Sequence, residues 1–161
     1  MSKNIYILFI LLLATACSTT RNLPEDEILY TGIKKINITE QDSTEAGDIT
    51  IEEIEAALAY PPNNALLGSS SVRIPFPFGL WMYNALVKKE GKIGKWLFDK
   101  LAAKPVYMSN VNPEVRVKVV QNLLKEYGYF RGNASYEVVP NPKDPKQAGI
   151  VYNISMRNPY T

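Results

Sequence analysis

Asn112-Pro-Glu-Val-Arg-Val-Lys-Val-Val-Gln-Asn-Leu-Leu-Lys-Glu-Tyr-Gly-Tyr-Phe130 carries its own start and stop signals. Asn112 is an N-cap residue, and Pro113 takes the first helical position, where its missing N–H is no loss. Glu114 suits the positive end of the helix dipole. Val115, Val119, Leu123 and Tyr127 fall on one stripe, widened by Val120 and Leu124, which predicts an amphipathic helix facing a core through Leu123. Gly128 supplies the left-handed residue that closes it. Two alternating segments follow. One is 133–139, with Ala134, Tyr136 and Val138; the other is 150–156, with Ile150, Tyr152, Ile154 and Met156. The proline-rich run 140–146 joins them, so they are predicted to pair as a β-hairpin.

Upstream, 28–39 is a strand in which Leu29, Thr31 and Ile33 alternate and Ile36 and Ile38 resume after a one-residue slip at Lys34-Lys35. A slip of that kind predicts a bulge. A polar loop is expected over 41–48. Thr50-Ile51-Glu52-Glu53 then has the spacing of a capping box, placing Ile51, Ile54 and Leu58 on one inward face. Tyr60-Pro61-Pro62 ends that helix, because a residue before proline avoids the helical region. Between the two helices lies an insertion at about 63–110. It holds a proline-punctuated apolar segment, Arg73-Ile-Pro-Phe-Pro-Phe78, and short helices expected over 79–87 and 91–103. The order strand, helix, insertion, helix, strand, strand implies an α+β domain over 28–157, a three-stranded sheet covered by two helices.

The N-terminus is of another kind. Lys3 precedes an apolar run from Ile5 to Leu13, then Ala14-Thr15-Ala16 and Cys17. This is the layout of a signal peptide over 1–16, too short to span a bilayer, which takes about 20 apolar residues. Cys17 is the only cysteine. Leu13-Ala14-Thr15-Ala16-Cys17 resembles a bacterial lipobox, with Leu one place further from the cysteine than usual. Lipidation at Cys17 is therefore expected, and more than one acyl chain there anchors stably where one is marginal. The alternative is ordinary secretory cleavage leaving a free thiol, a liability in an oxidising compartment. Residues 17–27 form a polar tether. Ser18-Thr19-Thr20-Arg21-Asn22 contains no acid, which by resemblance to bacterial lipoproteins implies the periplasmic leaflet of the outer membrane.

Composition excludes several functions. The chain has no histidine and a formal charge of +2, which falls to +1 without Lys3. A balance so near zero leaves no nucleic-acid footprint. Without histidine, and with Cys17 acylated, the commonest general base and the commonest metal ligands are missing, so no metal, cofactor or enzymatic activity is expected. Ser69-Ser70-Ser71 has no histidine to pair with and neither Ser-x-x-Lys nor Gly-x-Ser-x-Gly spacing. Asp48, Glu52 and Glu53 stand at a helix start, where acids serve as caps.

The segment 123–130, Leu-Leu-Lys-Glu-Tyr-Gly-Tyr-Phe, followed by Ala134-Ser-Tyr-Glu-Val138, resembles the POTRA pattern of helix, glycine, aromatic and a strand led by small residues. Further stretches carry the likeness: 29–36 (Leu-Tyr-Thr-Gly-Ile-Lys-Lys-Ile), 59–68 (Ala-Tyr-Pro-Pro-Asn-Asn-Ala-Leu-Leu-Gly) and 112–116 (Asn-Pro-Glu-Val-Arg). In these the mature chain resembles the N-terminal part of the lipoprotein branch of the BamA/TamA outer-membrane assembly family. That resemblance implies downstream POTRA repeats and a β-barrel, with residues 158–161 opening the next repeat, so the sequence is expected to be a fragment or an interrupted gene.

The resemblance also implies a binding module. POTRA sheets offer exposed edges to which client or partner polypeptides add as strands, and main-chain hydrogen bonds ignore side-chain identity. The candidate edges hold Ile33, Ile36 and Ile38 on one strand and Tyr136 and Val138 on another. Both edges have an alternative use in packing against neighbouring repeats. The second function considered is a free-standing structural or accessory lipoprotein docking on an envelope assembly machine. Within the insertion, aromatic residues stand beside Lys88, Lys89, Lys92, Lys95, Lys100 and Lys104. Aromatics among lysines suit a membrane interface or a protein partner, with Trp81 and Trp96 as the candidate contacts, or else pack back onto the domain.

Overall fold

Three strands and five helices, one of them only four residues long, alternate along the residues that the computed structural model describes: 19–20, 22–65, 72, 74–89 and 91–157. In chain order they are β1 (Leu29–Thr39), α1 (Glu45–Leu58), α2 (Phe78–Leu86), α3 (Lys92–Leu101), α4 (Met108–Val111), α5 (Pro113–Glu126), β2 (Asn133–Asn141) and β3 (Asp144–Ser155). The sheet is mixed, in the order β1-β3-β2, with β1 parallel and β2 antiparallel to the central β3. The protein is thus α+β, and β1 and β2 are the two edges.

Register places the apolar residues in rows. Ile33 of β1 pairs with Ile150 of β3, which in turn pairs with Val138 of β2; the next rows across the sheet are Ile36, Tyr152 and Tyr136, then Ile38, Ile154 and Ala134. On this face β3 shares one core with Ile54 and Leu58 of α1 and with Val117, Val120 and Leu124 of α5. The opposite face is polar: Asn37 donates to Asn153 at 2.7 Å, and Asn153 donates to Glu137. Alternation in the sequence therefore becomes one buried and one wet face. The slip at Lys34-Lys35 is a register irregularity in β1, close to Gly32, whose φ of 108° only glycine adopts cheaply. The hairpin strands run further than expected, to Asn141 and from Asp144. Pro140 is tolerated because β2 is an edge.

Two helix expectations need correction. The first helix begins at Glu45, not Thr50: the Thr44 hydroxyl accepts from the Gly47 amide and is the cap. Thr50 is buried one turn inside, where its hydroxyl donates to the Ala46 carbonyl at 2.7 Å. Back-bonding of this kind satisfies a mid-helix threonine, so the capping-box spacing at Thr50 was met without a helix end there. The second concerns the inner face of α5. Val115 and Val119 are 50% and 43% exposed, Tyr127 is exposed, and Leu123 is half-buried. The buried residues are Pro113, Val117, Val120 and Leu124. Steps of four residues advance about 40° around a helix each time, so the 115/119/123/127 stripe winds away from the core. Mixed steps of four and three hold 113/117/120/124 within a narrow arc.

Tyr152 lies under this face, its hydroxyl buried with no hydrogen-bond partner among the described residues. Burial pushes its phenol up to about 12, against the opposing pull of Arg116. Burial, with the Asp42 hydrogen bond adding to it, also raises Tyr129. A phenol that ionises later when folded than when unfolded adds stability that is complete below pH 10 and lost as pH climbs towards 12. Chemical denaturation across that window is therefore expected to show falling stability. Tyr152→Phe is expected to flatten the fall while changing neutral-pH stability by less than about 0.5 kcal/mol.

Candidate functional site

The two edges differ in how much of them is covered. Along the first residues of β1 the chain adds to its own sheet. Leu29 forms an antiparallel bridge with Tyr107, the Tyr30 amide donates to the Val106 carbonyl at 2.9 Å, and the Met108 amide donates to the Ile28 carbonyl at 2.8 Å. Asn63 clamps this arrangement. Its carbonyl oxygen accepts from the Val106 amide at 2.7 Å, and its amide nitrogen donates to the carbonyls of Tyr30 and Val106. Burial, with Tyr83 and Glu27 nearby, raises the Tyr107 phenol, which therefore stays neutral in this corner.

Beyond Lys34 no described residue continues the covering segment. A groove of about 630 Å³ runs along this part of β1 and reaches α1, lined by Lys35, Ile36, Ile38, Ile51, Glu55 and Asn153 among others. Ile33, Ile36, Ile38 and Ile51 are partly buried hydrophobics set against the core. Ile36, Ile38 and Ile51 give the groove an apolar floor, while Lys35, Glu55 and Asn153 supply a polar rim. An extended segment laid here has backbone partners on one side and apolar contacts below.

Tyr136 and Val138, 36% and 37% exposed, lie on β2 with the whole of β3 between them and the β1 isoleucines. The five candidate residues therefore form two separate edges. The candidate tryptophans also part company. Trp96 is 61% exposed on α3, a helix with no buried residue. Trp81 is half-buried beside Phe76 at 5.8 Å, and its indole nitrogen is enclosed without a hydrogen-bond partner among the described residues. Cys17, Ser69-Ser70-Ser71 and 158–161 lie outside the described residues. Among the described residues no acidic or thiol cluster could hold a metal, and no helix is long and apolar enough to cross a membrane.

Two polar residues that organise this region were not foreseen. One is Asn63. The other is Arg116, which donates to the Val111 carbonyl at 2.9 Å and the Ala57 carbonyl at 2.7 Å, and lies 4.9 Å from the centre of the Tyr60 ring. Both fall in the stretches 59–68 and 112–116, where a run such as Pro-Pro-Asn-Asn signals a fixed turn without saying what it fastens. No protein-family model, curated protein or solved structure matches the chain.

Proposed function

We propose that this chain is the lipid-anchored, POTRA-like part of an outer-membrane protein assembly or translocation factor of the TamL type, facing the periplasm and taking up extended client or partner segments by strand addition at β1. The POTRA part is supported by element order and by a sheet with two helices on one face. The anchor is supported by the lipobox-like segment ending at Cys17. The strand-addition part rests on one observation: the chain already adds Val106–Met108 to the β1 edge, and among the described residues the rest of that edge is open above an apolar groove. A client strand continuing this segment runs antiparallel to β1. Its main chain meets the open edge and alternate side chains drop towards Ile36, Ile38 and Ile51, the division of labour in β-augmentation.

The test is a fluorescence-anisotropy titration of the lipidated chain with a labelled extended peptide of alternating apolar and polar residues. Ile51→Asp places a carboxylate on the groove floor and is expected to weaken binding at least about tenfold, because burying it unpaired costs more than about 1.4 kcal/mol. Val138→Asp, on the other edge, is expected to leave affinity unchanged. Circular dichroism checks that both variants fold. Loss of binding in Val138→Asp but not in Ile51→Asp would overturn the assignment to β1.

A further inference from the structure

The helical pair in the insertion packs on itself, with Tyr83 of α2 against Phe98 of α3 at 5.6 Å. Its outer side is left open. Ile93 and Trp96, three residues apart on one side of α3, are 77% and 61% exposed. Across 88–104 six lysines stand against only Glu90 and Asp99, a local excess of positive charge in a chain whose formal net charge is only +2. At the turn between the helices a groove of about 570 Å³ is lined by Leu86 and Phe98 and by Lys89, Lys92 and Lys95.

The tether ends beside this pair. The Thr19 carbonyl accepts from the Asn84 side chain of α2 at 3.0 Å, and the Asn84 carbonyl accepts from Asn22 at 3.0 Å. The Thr19 hydroxyl accepts from Gln147 at 2.9 Å, so this end of the tether is fastened to both α2 and β3. Cys17 is two residues upstream of Thr19 and therefore within about 7 Å of it, the reach of two extended residues. Acyl chains at Cys17 would hold a bilayer near the Thr19 end of the tether, beside α2, against which α3 packs.

We infer that the open side of α3 rests on an anionic phospholipid surface, with Trp96 at headgroup level and the lysines of the pair on lipid phosphates. This rests on the lipidation of Cys17 proposed above. Indole rings are stable at the headgroup boundary, and basic residues near an anionic surface add attraction. A purely apolar protein partner would account for Ile93 and Trp96 but not for Lys92 and Lys100, which stand one turn to either side of Trp96.

The chain has two tryptophans, so each can be observed alone. The lipidated chain is reconstituted into phosphatidylglycerol vesicles whose lipids carry brominated acyl chains. In Trp81→Phe the remaining Trp96 emission is expected to shift to the blue and be quenched. In Trp96→Phe the remaining Trp81 is expected to be unaffected by the vesicles. Lys92→Gln with Lys100→Gln is expected to lower the ratio of docked to undocked chains about 25-fold, roughly fivefold for each lysine. Co-flotation with the vesicles reports the anchor separately. A chain that floats while Trp96 stays unquenched overturns this inference and leaves the anchor standing. Quenching of Trp96 in a chain shown by mass spectrometry to carry no lipid keeps the face and overturns the anchor. Equal quenching on phosphatidylcholine removes the role of the lysines. A blue shift that grows with protein concentration without vesicles assigns the face to a second copy and overturns the lipid assignment.

Discussion

Leu124→Ala is expected to cost about 2–5 kcal/mol, read from urea unfolding of the chain. Leu124 has no exposed surface, and it sits where α5, the Tyr129 turn and the sheet meet. Its carbonyl accepts from the Tyr129 amide at 2.7 Å and its side chain lies against Gly132, so the neighbours are held on several sides and collapse poorly into the space left. Leu123→Ala, one residue earlier, removes the same atoms from a half-buried position and is expected to cost only about 1 kcal/mol. The contrast between adjacent leucines tests which stripe of α5 faces inward. Equal losses would mean that the helix is rotated from the orientation described.

Arg116→Met is expected to cost about 2–4 kcal/mol, because several charge-assisted hydrogen bonds are lost together. The Arg116 guanidinium gathers three backbone carbonyls. Ala57 and Ala59 belong to the end of α1, and Val111 precedes α5. These α1 carbonyls are among those a helix end leaves without intrahelical partners, and a cation there also opposes the helix dipole. The same group covers the Tyr60 ring, which in turn meets Tyr30 edge-on at 6.1 Å. Methionine keeps much of the packing and removes every donor. Arg116→Lys keeps the charge but not the fork, so it is expected to recover only part of the loss. Recovery to the wild-type value would show that charge alone matters.

What could be seen in the sequence was local. The hairpin was visible because alternation over 133–139 and 150–156 needs only the period of a strand, and the bulge because one slip at Lys34-Lys35 breaks that period. The ends of α5 were visible because Asn112, Pro113 and Gly128 each favour one backbone state. Which side of α5 faces inward was not, since the helix carries apolar residues on two sides and the sheet chooses between them. The start of α1 was hidden for a related reason: threonine at either 44 or 50 can cap a helix, and the chain uses Thr44.

The open part of the β1 edge was equally invisible in detail. It depends on where Val106–Met108 stops, a segment too short to carry a periodic pattern, and on Asn63, which reaches it across 43 residues of sequence. Long-range hydrogen bonds leave no spacing to detect. Trp81 and Trp96 were alike as candidates because composition does not say which side of a helix a ring occupies. Trp81 stands beside Phe76 with its indole nitrogen enclosed, while Trp96 is exposed on α3.

Hydrogen–deuterium exchange of the lipidated chain, with and without an extended peptide of alternating apolar and polar residues, bears most directly on the role given to β1. Amides over 34–39 are expected to exchange at least about tenfold more slowly when the peptide is bound, as a strand pairs with them, while those over 133–141 keep their free-state rates. Slowing confined to 133–141, or none over 34–39 at saturating peptide, would contradict the account.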